Sequence, residues 1–163
     1  MGATIVAVWC TNELISVAHV GDSRIYRLRA GNFEQLTQDH SFVAEEVRHG
    51  KMTAEEAATS TMQNVLVRAL GIEPAVEVDV SEELLTQGDS VLLCSDGLTR
   101  MVTDPEIAST LLTSTSAQES ADRLVDLAND NGGVDNVTVI VLQVVQKSES
   151  VFDRLKIWKK YSG

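Results

Sequence analysis

The first third of the chain alternates short apolar runs with turn residues. The runs are rich in β-branched residues and end at Gly, Asn, Asp or Ser, which is typical of strands joined by tight turns. A hairpin turn at Ala30-Gly31-Asn32 separates the last two runs. The pattern predicts a four-stranded antiparallel meander over residues 3–9, 14–20, 25–30 and 32–37.

The middle of the chain changes period. Helical spacing and stop signals predict helices over 42–50 and 53–60, with Thr53 as an N-cap. Residues 64–71 form a short helix or a turn in this interpretation. An alternating segment at 75–81 and a continuous apolar run within 86–95 predict a half-exposed strand and a buried strand.

The last third carries two helix signals and one long apolar run. Asp104 is the predicted N-cap of a helix over 104–113, and Ser116 with Glu119 predicts a capping box for a helix over 116–130. Residues 136–145 are apolar on both alternations, which predicts a central strand. The order of elements favours an α+β sandwich built on antiparallel sheets.

Three aspartates share one placement at the ends of predicted strands. Asp22 and Asp96 follow apolar runs, and Asp135 precedes one, each beside or near a glycine. Aspartate is common at such positions because its side chain caps turns, and for any one of the three alone a turn cap is the simpler interpretation. If the sheet brings the three together, they form an all-oxygen pocket suited to Mg²⁺ or Mn²⁺.

Charge and cysteine content narrow the function classes. The chain has 24 acidic and 13 basic residues, a formal charge of −11. That balance argues against nucleic-acid binding and fits either cation binding or plain solubility. Cys10 and Cys94 are predicted to be small buried residues without a disulfide, so a reducing cytoplasm is expected. The sequence shows neither a signal peptide nor a stretch long enough to cross a membrane.

Several motifs in order resemble the metal-dependent type 2C (PPM) serine/threonine protein phosphatases, over roughly residues 3–145. They are VAHVGDSRIYRLRAG, LTQDHS, NVLVRALG, GDSVLLCSDGLT and GGVDNVTVIVL. The resemblance implies an α-β-β-α sandwich that dephosphorylates phosphoserine and phosphothreonine in proteins with a water activated by two Mn²⁺ or Mg²⁺ ions. It assigns Asp96 and Asp135 as metal ligands, Asn136 as a supporting neighbour, and Asp22 as a ligand of a third, weaker metal.

The same resemblance places a flap beside the active site at about residues 40–61. His40 and His49 fall in or near it, and both are predicted to be ordinary surface or capping histidines. His19 is predicted to be packed inside, Arg24 to pair with a nearby acid, and Arg68 to have a surface role.

The sequence also departs from the family pattern. The early acidic cluster, the phosphate-binding Arg and the Asp-Gly-x-Gly-Gly motif that the resemblance implies are not found in this sequence. We therefore expect an incomplete metal site, impaired activity, and a sheet face without its helical cover. The alternative is a non-catalytic module that uses this face to dimerise or to bind a protein partner.

Two segments divide the chain in this interpretation. Residues 1–146 form the incomplete phosphatase domain, and 147–163 form a basic amphipathic tail. The tail interleaves basic and aromatic residues, which is compatible with membrane contact and more typical of a terminal helix that packs on the domain.

Overall fold

The computed structural model describes residues 2–11 and 13–145. The predicted tail at 147–163 lies outside the described residues. The strands within the described residues are β1 (Ile5–Cys10), β2 (Leu14–Val20), β3 (Arg24–Arg29), β4 (Asn32–Gln35), β5 (Asp79–Leu84), β6 (Ser90–Cys94) and β7 (Val139–Gln143). The helices in the same part of the chain are α1 (Phe42–Arg48), α2 (Ala54–Thr59), α3 (Asp96–Thr99), α4 (Asp104–Thr113) and α5 (Ala117–Asp130).

The strands form two antiparallel sheets, which confirms the predicted sandwich. One sheet has three strands in the order β1-β2-β5, and the other has four in the order β4-β3-β6-β7. The predicted hairpin between β3 and β4 is present, with Leu28 opposite Phe33. The meander nevertheless divides after β2, because β3 pairs with β6 rather than with β2.

Two apolar layers hold these elements together. Ile15, Val17, Ile25, Val91 and Leu93 pack between the sheets. The opposite faces of β3 and β6 pack against α4 and α5, through residues that include Tyr26, Leu92, Ile107, Leu111 and Leu124. All five residues of β6 are buried, because this strand faces a sheet on one side and helices on the other. Val91, Leu92 and Leu93 of this strand each contribute roughly 1.5–3 kcal/mol by leaving water.

The outer face of the three-stranded sheet carries no helix in the part of the chain that the structure describes. Five large apolar side chains on this face are 40% to 73% exposed. We call it the bare face: Ile5, Trp9, Leu14, Val80 and Leu84. The predicted loss of cover on one sheet is thus visible here, while the predicted helices after Asp96 do cover the other sheet.

Four predictions are wrong in detail. The last strand lies at the edge of its sheet, not at the centre. The strand predicted over 75–81 is shifted to Asp79–Leu84, where it pairs with β2. The N-cap of α4 is Thr103, and Asp104 is its first helical residue. Cys10 is exposed because it ends an edge strand, whereas Cys94 is buried as predicted.

Capping explains where α2 and α5 begin. Thr53 and Glu56 form a capping box at α2. The Ser116 hydroxyl accepts a hydrogen bond from the Glu119 N–H at 3.1 Å, which confirms the N-cap of α5. The Glu119 carboxylate accepts from the Thr115 N–H at 2.8 Å rather than from Ser116.

Residues 64–71 form turns and isolated bridges without a helix. None of the helices in the described residues is long and apolar enough to span a membrane.

Candidate metal and catalytic site

The structure brings the three predicted aspartates to one cavity of about 410 Å³. Asp22 follows β2, Asp96 opens α3 directly after β6, and Asp135 lies in the loop before β7. Each carboxylate therefore comes from a different strand end, and the sheets fix their relative positions. The remaining lining of the cavity is Gly2, Ala3, Thr4, Asn64, Leu66 and Arg100.

Gly97 explains how two of these segments approach each other. A Cβ atom at Gly97 would lie 2.4 Å from the Asn136 carbonyl oxygen, far inside van der Waals contact. Glycine is therefore required for the start of α3 to pack against the chain that follows Asp135. Ser95 joins the same segments, since its hydroxyl donates to the Asn136 carbonyl at 3.2 Å and accepts from the Thr138 N–H at 3.0 Å.

Asn136, predicted as a supporting neighbour, contributes its backbone to the site. Its N–H donates to Oδ1 of Asp135 at 2.7 Å. Its carbonyl is the group that faces Gly97 and Ser95. The described contacts of Asn136 thus orient the Asp135 carboxylate and fix its loop.

A second close approach positions Asp22. Gly21 has φ +107°, and a Cβ atom there would lie 2.3 Å from Cγ2 of Thr4. The Gly21 N–H donates to Nδ1 of His40 at 3.1 Å, and the His40 N–H donates to the Gly21 carbonyl at 2.9 Å. His40 is only 3% exposed, so the prediction of a surface histidine is wrong, whereas its contact with the Gly21 N–H is the kind that a capping histidine makes. It is a buried residue that holds the turn before Asp22.

Negative charge is concentrated at this site. Burial and the nearby Asp96 carboxylate raise the pKa of Asp22 above its usual value. The carboxylates of Asp22 and Asp96 therefore repel each other, and a cation bound between them would reduce this repulsion. The donor set consists of carboxylate oxygens, the ligands that Mg²⁺ and Mn²⁺ prefer, so the residues present fit such an ion.

Arg100 is a residue of this site that the sequence interpretation missed. Its Nη2 lies 2.8 Å from Oδ2 of Asp96, and its Nη1 lies 3.7 Å from Oδ2 of Asp135. It also donates to the Asn64 side-chain oxygen. The spacing of four residues from Asp96, which aligns opposite charges on a helix, was the available signal.

A groove of about 1000 Å³ adjoins the carboxylates. Asp22, Asp96 and Arg100 line both this groove and the smaller cavity. One wall of the groove comes from α1 and α2, which lie in the segment that the resemblance assigned to the flap. That wall presents Val43, Ala44, Val47, Ala54, Ala57 and Ala58.

The flap is closed at its base by backbone hydrogen bonds. The Phe42 N–H donates to the Val65 carbonyl at 2.8 Å, and the Val67 N–H donates to the His40 carbonyl at 2.9 Å. We call residues 42–65 the flap loop. Its base lies next to the turn that carries Asp22, because His40 belongs to both.

The remaining basic residues lie largely where the sequence predicts them. Arg24 pairs with Asp39 at 2.7 Å and donates to the Tyr26 hydroxyl at 2.9 Å, which confirms that it binds a nearby acid. Arg68 is half-buried and pairs with Asp79. His49 is exposed, as expected of an ordinary surface histidine.

His19, His40 and Asp79 form a second group whose ligand atoms lie within 4.8 Å of one another. Their hydrogen bonds argue against a metal there. Burial lowers the pKa of His40. Its Nδ1 accepts from the Gly21 N–H, and its Nε2 lies 3.3 Å from Oδ2 of Asp79 and 3.3 Å from Nη1 of Arg68. Nε2 of His19, the predicted packed histidine, donates to the Gln38 carbonyl at 2.7 Å. The group therefore has a structural role, in which its hydrogen bonds join the base of the flap loop to β5.

Comparison with known proteins agrees with this geometry. The family model described as protein phosphatase 2C matches residues 1–137. Among curated proteins, the serine/threonine phosphatase stp of Listeria welshimeri is 43% identical over 143 residues, which are 88% of this chain and 57% of the relative. The chain therefore spans a little over half the length of such relatives.

Solved structures agree as well. The serine/threonine phosphatase PstP/Ppp of Mycobacterium tuberculosis matches 90% of this chain and 61% of its own, with a TM-score of 0.85 and 39% identity. The catalytic domain of PstP in complex with two manganese ions matches 90% of this chain and 60% of its own, with a TM-score of 0.80 and 41% identity. With this sandwich, these strand-end aspartates and the family match, the chain belongs to the protein phosphatase 2C family.

Proposed function

We propose that this chain carries the Mn²⁺- or Mg²⁺-binding part of a phosphatase that acts on phosphoserine and phosphothreonine in proteins. The observation that carries the proposal is the meeting of Asp22, Asp96 and Asp135 at one cavity beside a large groove. In this assignment Asp96 and Asp135 are the main metal ligands. Asp22, which the turn at Gly21 holds beside them, serves a weaker position.

Each part of the site has a task in this reaction. A bound divalent ion acidifies a coordinated water and offsets the charge of the phosphoryl oxygens. The carboxylates hold the ion at the end of the groove. The groove, with its apolar flap wall, accommodates the peptide around the phosphorylated residue and excludes water from it. The ion pair between Arg24 and Asp39 also lines the groove.

This chain on its own is expected to turn over substrate weakly. Two-ion hydrolysis needs both ions about 3.5–4 Å apart, held by shared ligands. Among the described residues that line the 410 Å³ cavity, the carboxylates are Asp22, Asp96 and Asp135. The bridging aspartate that the family resemblance implies is not one of them, so we propose one weakly held ion rather than a tight pair.

Metal binding and activity test the proposal separately. Mn²⁺ binding to the full chain is followed by the loss of the free-ion electron paramagnetic resonance signal. Asp96→Asn is expected to weaken binding at least tenfold, because it removes a charged ligand. Asp126→Asn, at an exposed position on α5, is the control and should leave binding unchanged.

Activity is measured with p-nitrophenyl phosphate and Mn²⁺, where we expect turnover far below 1 s⁻¹. Equal Mn²⁺ binding by wild type and Asp96→Asn would contradict the ligand assignment. Mn²⁺-dependent turnover near 1 s⁻¹ or above that Asp96→Asn abolishes would contradict the impairment but support the site.

A non-catalytic role is the second candidate, and the bare face favours it. Trp9 is 73% exposed and Val80 68% exposed on a sheet surface that contains three further large apolar residues. We propose that a second copy of the chain covers this face, since two-fold dimers are the commonest assemblies.

We also propose a reducing, cytoplasmic location, because Cys10 and Cys94 are both free.

A further inference from the structure

Arg100 occupies a position between two of the proposed ligands. Its guanidinium forms ion pairs with Asp96 at 2.8 Å and Asp135 at 3.7 Å, and the Asn64 amide oxygen accepts a hydrogen bond from it. The Arg100 side chain is 24% exposed. Among the described residues that line the 410 Å³ cavity, it is the one cation, and it faces three carboxylates.

The guanidinium and a divalent ion compete for the same oxygens. Oδ2 of Asp96 lies 2.8 Å from Nη2 of Arg100, so this oxygen is already ion-paired. To coordinate a metal, it must give up that ion pair. The ion must also approach a fixed positive charge, and at these partly buried positions the repulsion is only partly screened.

Arg100 also has space to move away. It lines the 1000 Å³ groove as well as the smaller cavity. It is the C-cap residue of α3, so rotation about its side-chain bonds carries the guanidinium from one space to the other while the helix stays in place.

We infer that Arg100 is a built-in counter-ion of the carboxylates, which lowers their affinity for divalent cations and must leave Asp96 and Asp135 when the metal enters. The inference rests on the proposed function, because it takes these aspartates as metal ligands. It assigns Arg100 as a positioning residue that sets the metal concentration at which the site fills.

The expected effect is moderate. Arg100→Gln removes the charge and keeps a side chain that can still hydrogen-bond to Asn64. Since the lost contacts are partly exposed ion pairs, we expect Mn²⁺ to bind about threefold to tenfold more tightly. Arg100→Lys retains the charge but does not span both carboxylates, so its affinity should lie between those of wild type and Arg100→Gln.

The test measures Mn²⁺ affinity by electron paramagnetic resonance on the full-length variants. Arg48→Gln is the matched control, because Arg48 lines the groove but contacts Gln38 and Glu45 instead of the aspartates. We expect it to change the affinity less than twofold. A second measurement, the melting temperature in EDTA, should fall for Arg100→Gln, and the rise on adding Mn²⁺ should exceed that of wild type.

The outcomes separate the two hypotheses. If Arg100→Gln binds Mn²⁺ no more tightly than Arg48→Gln does, the counter-ion inference is wrong while the metal site stands. If wild-type binding is insensitive to Asp96→Asn, the proposed function fails. If neither wild type nor Arg100→Gln binds Mn²⁺, both fail, and if only Arg100→Gln binds it, the inference is supported.

Discussion

Replacing Gly97 by alanine tests whether close packing holds the candidate ligands together. By helix propensity alone, the change would stabilise α3 by up to about 1 kcal/mol. The structure predicts the opposite, because the new Cβ would lie 2.4 Å from the Asn136 carbonyl oxygen, whereas ordinary contact begins near 3.4 Å. The Asp135 loop must therefore retreat by about 1 Å.

The magnitude follows from two opposing effects. Overpacking of this size costs about 1–3 kcal/mol, and the gain in helix propensity offsets part of it. We expect a net loss of about 1–2 kcal/mol in the free energy of unfolding from urea denaturation. The hydrogen bonds of Ser95 to Asn136 and Thr138 weaken as well, so Mn²⁺ affinity should drop about tenfold or more.

Thr99→Ala in the same helix is the control. It also raises helix propensity, and it removes only a long hydrogen bond from the Thr99 hydroxyl to the Asp96 carbonyl at 3.4 Å, so it should leave stability and Mn²⁺ affinity close to wild type. A Gly97→Ala variant that unfolds at higher urea than wild type, with unchanged Mn²⁺ affinity, would refute the reasoning.

Two further predictions concern stability and assembly. Hydrogen bonds from Arg29 lower the pKa of the buried Asp89 carboxyl to about 2 from 3.8, so its stabilisation is complete above pH 4 and is lost as the pH falls toward 2. Asp89→Asn should therefore cost about 2 kcal/mol in urea denaturation at pH 7 and roughly half of that at pH 3; an equal cost at both values would contradict the ion pair. If the bare face forms a dimer, Trp9→Gln with Leu84→Gln should yield a monomer by light scattering at tens of micromolar, whereas Val134→Gln, an exposed control elsewhere, should not; a monomeric wild type would rule the dimer out.

Local patterns were sufficient to predict most elements and the placement of the aspartates. The apolar run before Asp96 and the turn before Asp22 each lie within about ten residues, so neighbouring residues specify them. The meeting of the three aspartates required the antiparallel pairing of β6 with β3 and β7, which brings three strand ends to one place. This pairing could not be predicted from the sequence of the strands themselves. It could be expected only from the family resemblance, which rests on the order of the motifs.

The position of the last strand could not be predicted from its side chains. Val139 and Val141 pack towards the helices, and Leu142 packs between the sheets, so both faces are apolar. A strand between two layers has this pattern whether it lies at the centre or at the edge, because lateral neighbours are set by backbone hydrogen bonds. Ile140, which is 52% exposed, marks the edge only once the fold is known.

Contacts between distant residues account for the errors at His40 and Arg100. His40 is buried because it bonds to Gly21, 19 residues away. Arg100 joins the site through Asp135 and Asn64 as well as through its helical neighbour Asp96. Apart from the pairing of Arg100 with Asp96, these partners lie too far away in the sequence for a local pattern to indicate them.

The closed base of the flap loop has a consequence for how such a protein diversifies. Two backbone hydrogen bonds join the ends of residues 42–65. The distance between the two points where this segment connects to the rest of the fold is therefore fixed, whatever the segment contains. The entropic cost of closing such a loop grows slowly, by about 0.6 kcal/mol for each doubling of its length. A different segment can therefore be grafted between Ser41 and Leu66 without altering any strand register. One wall of the groove is thereby free to change while the strands that carry the carboxylates keep their register, at the cost of the hydrogen bond from Arg100 to Asn64.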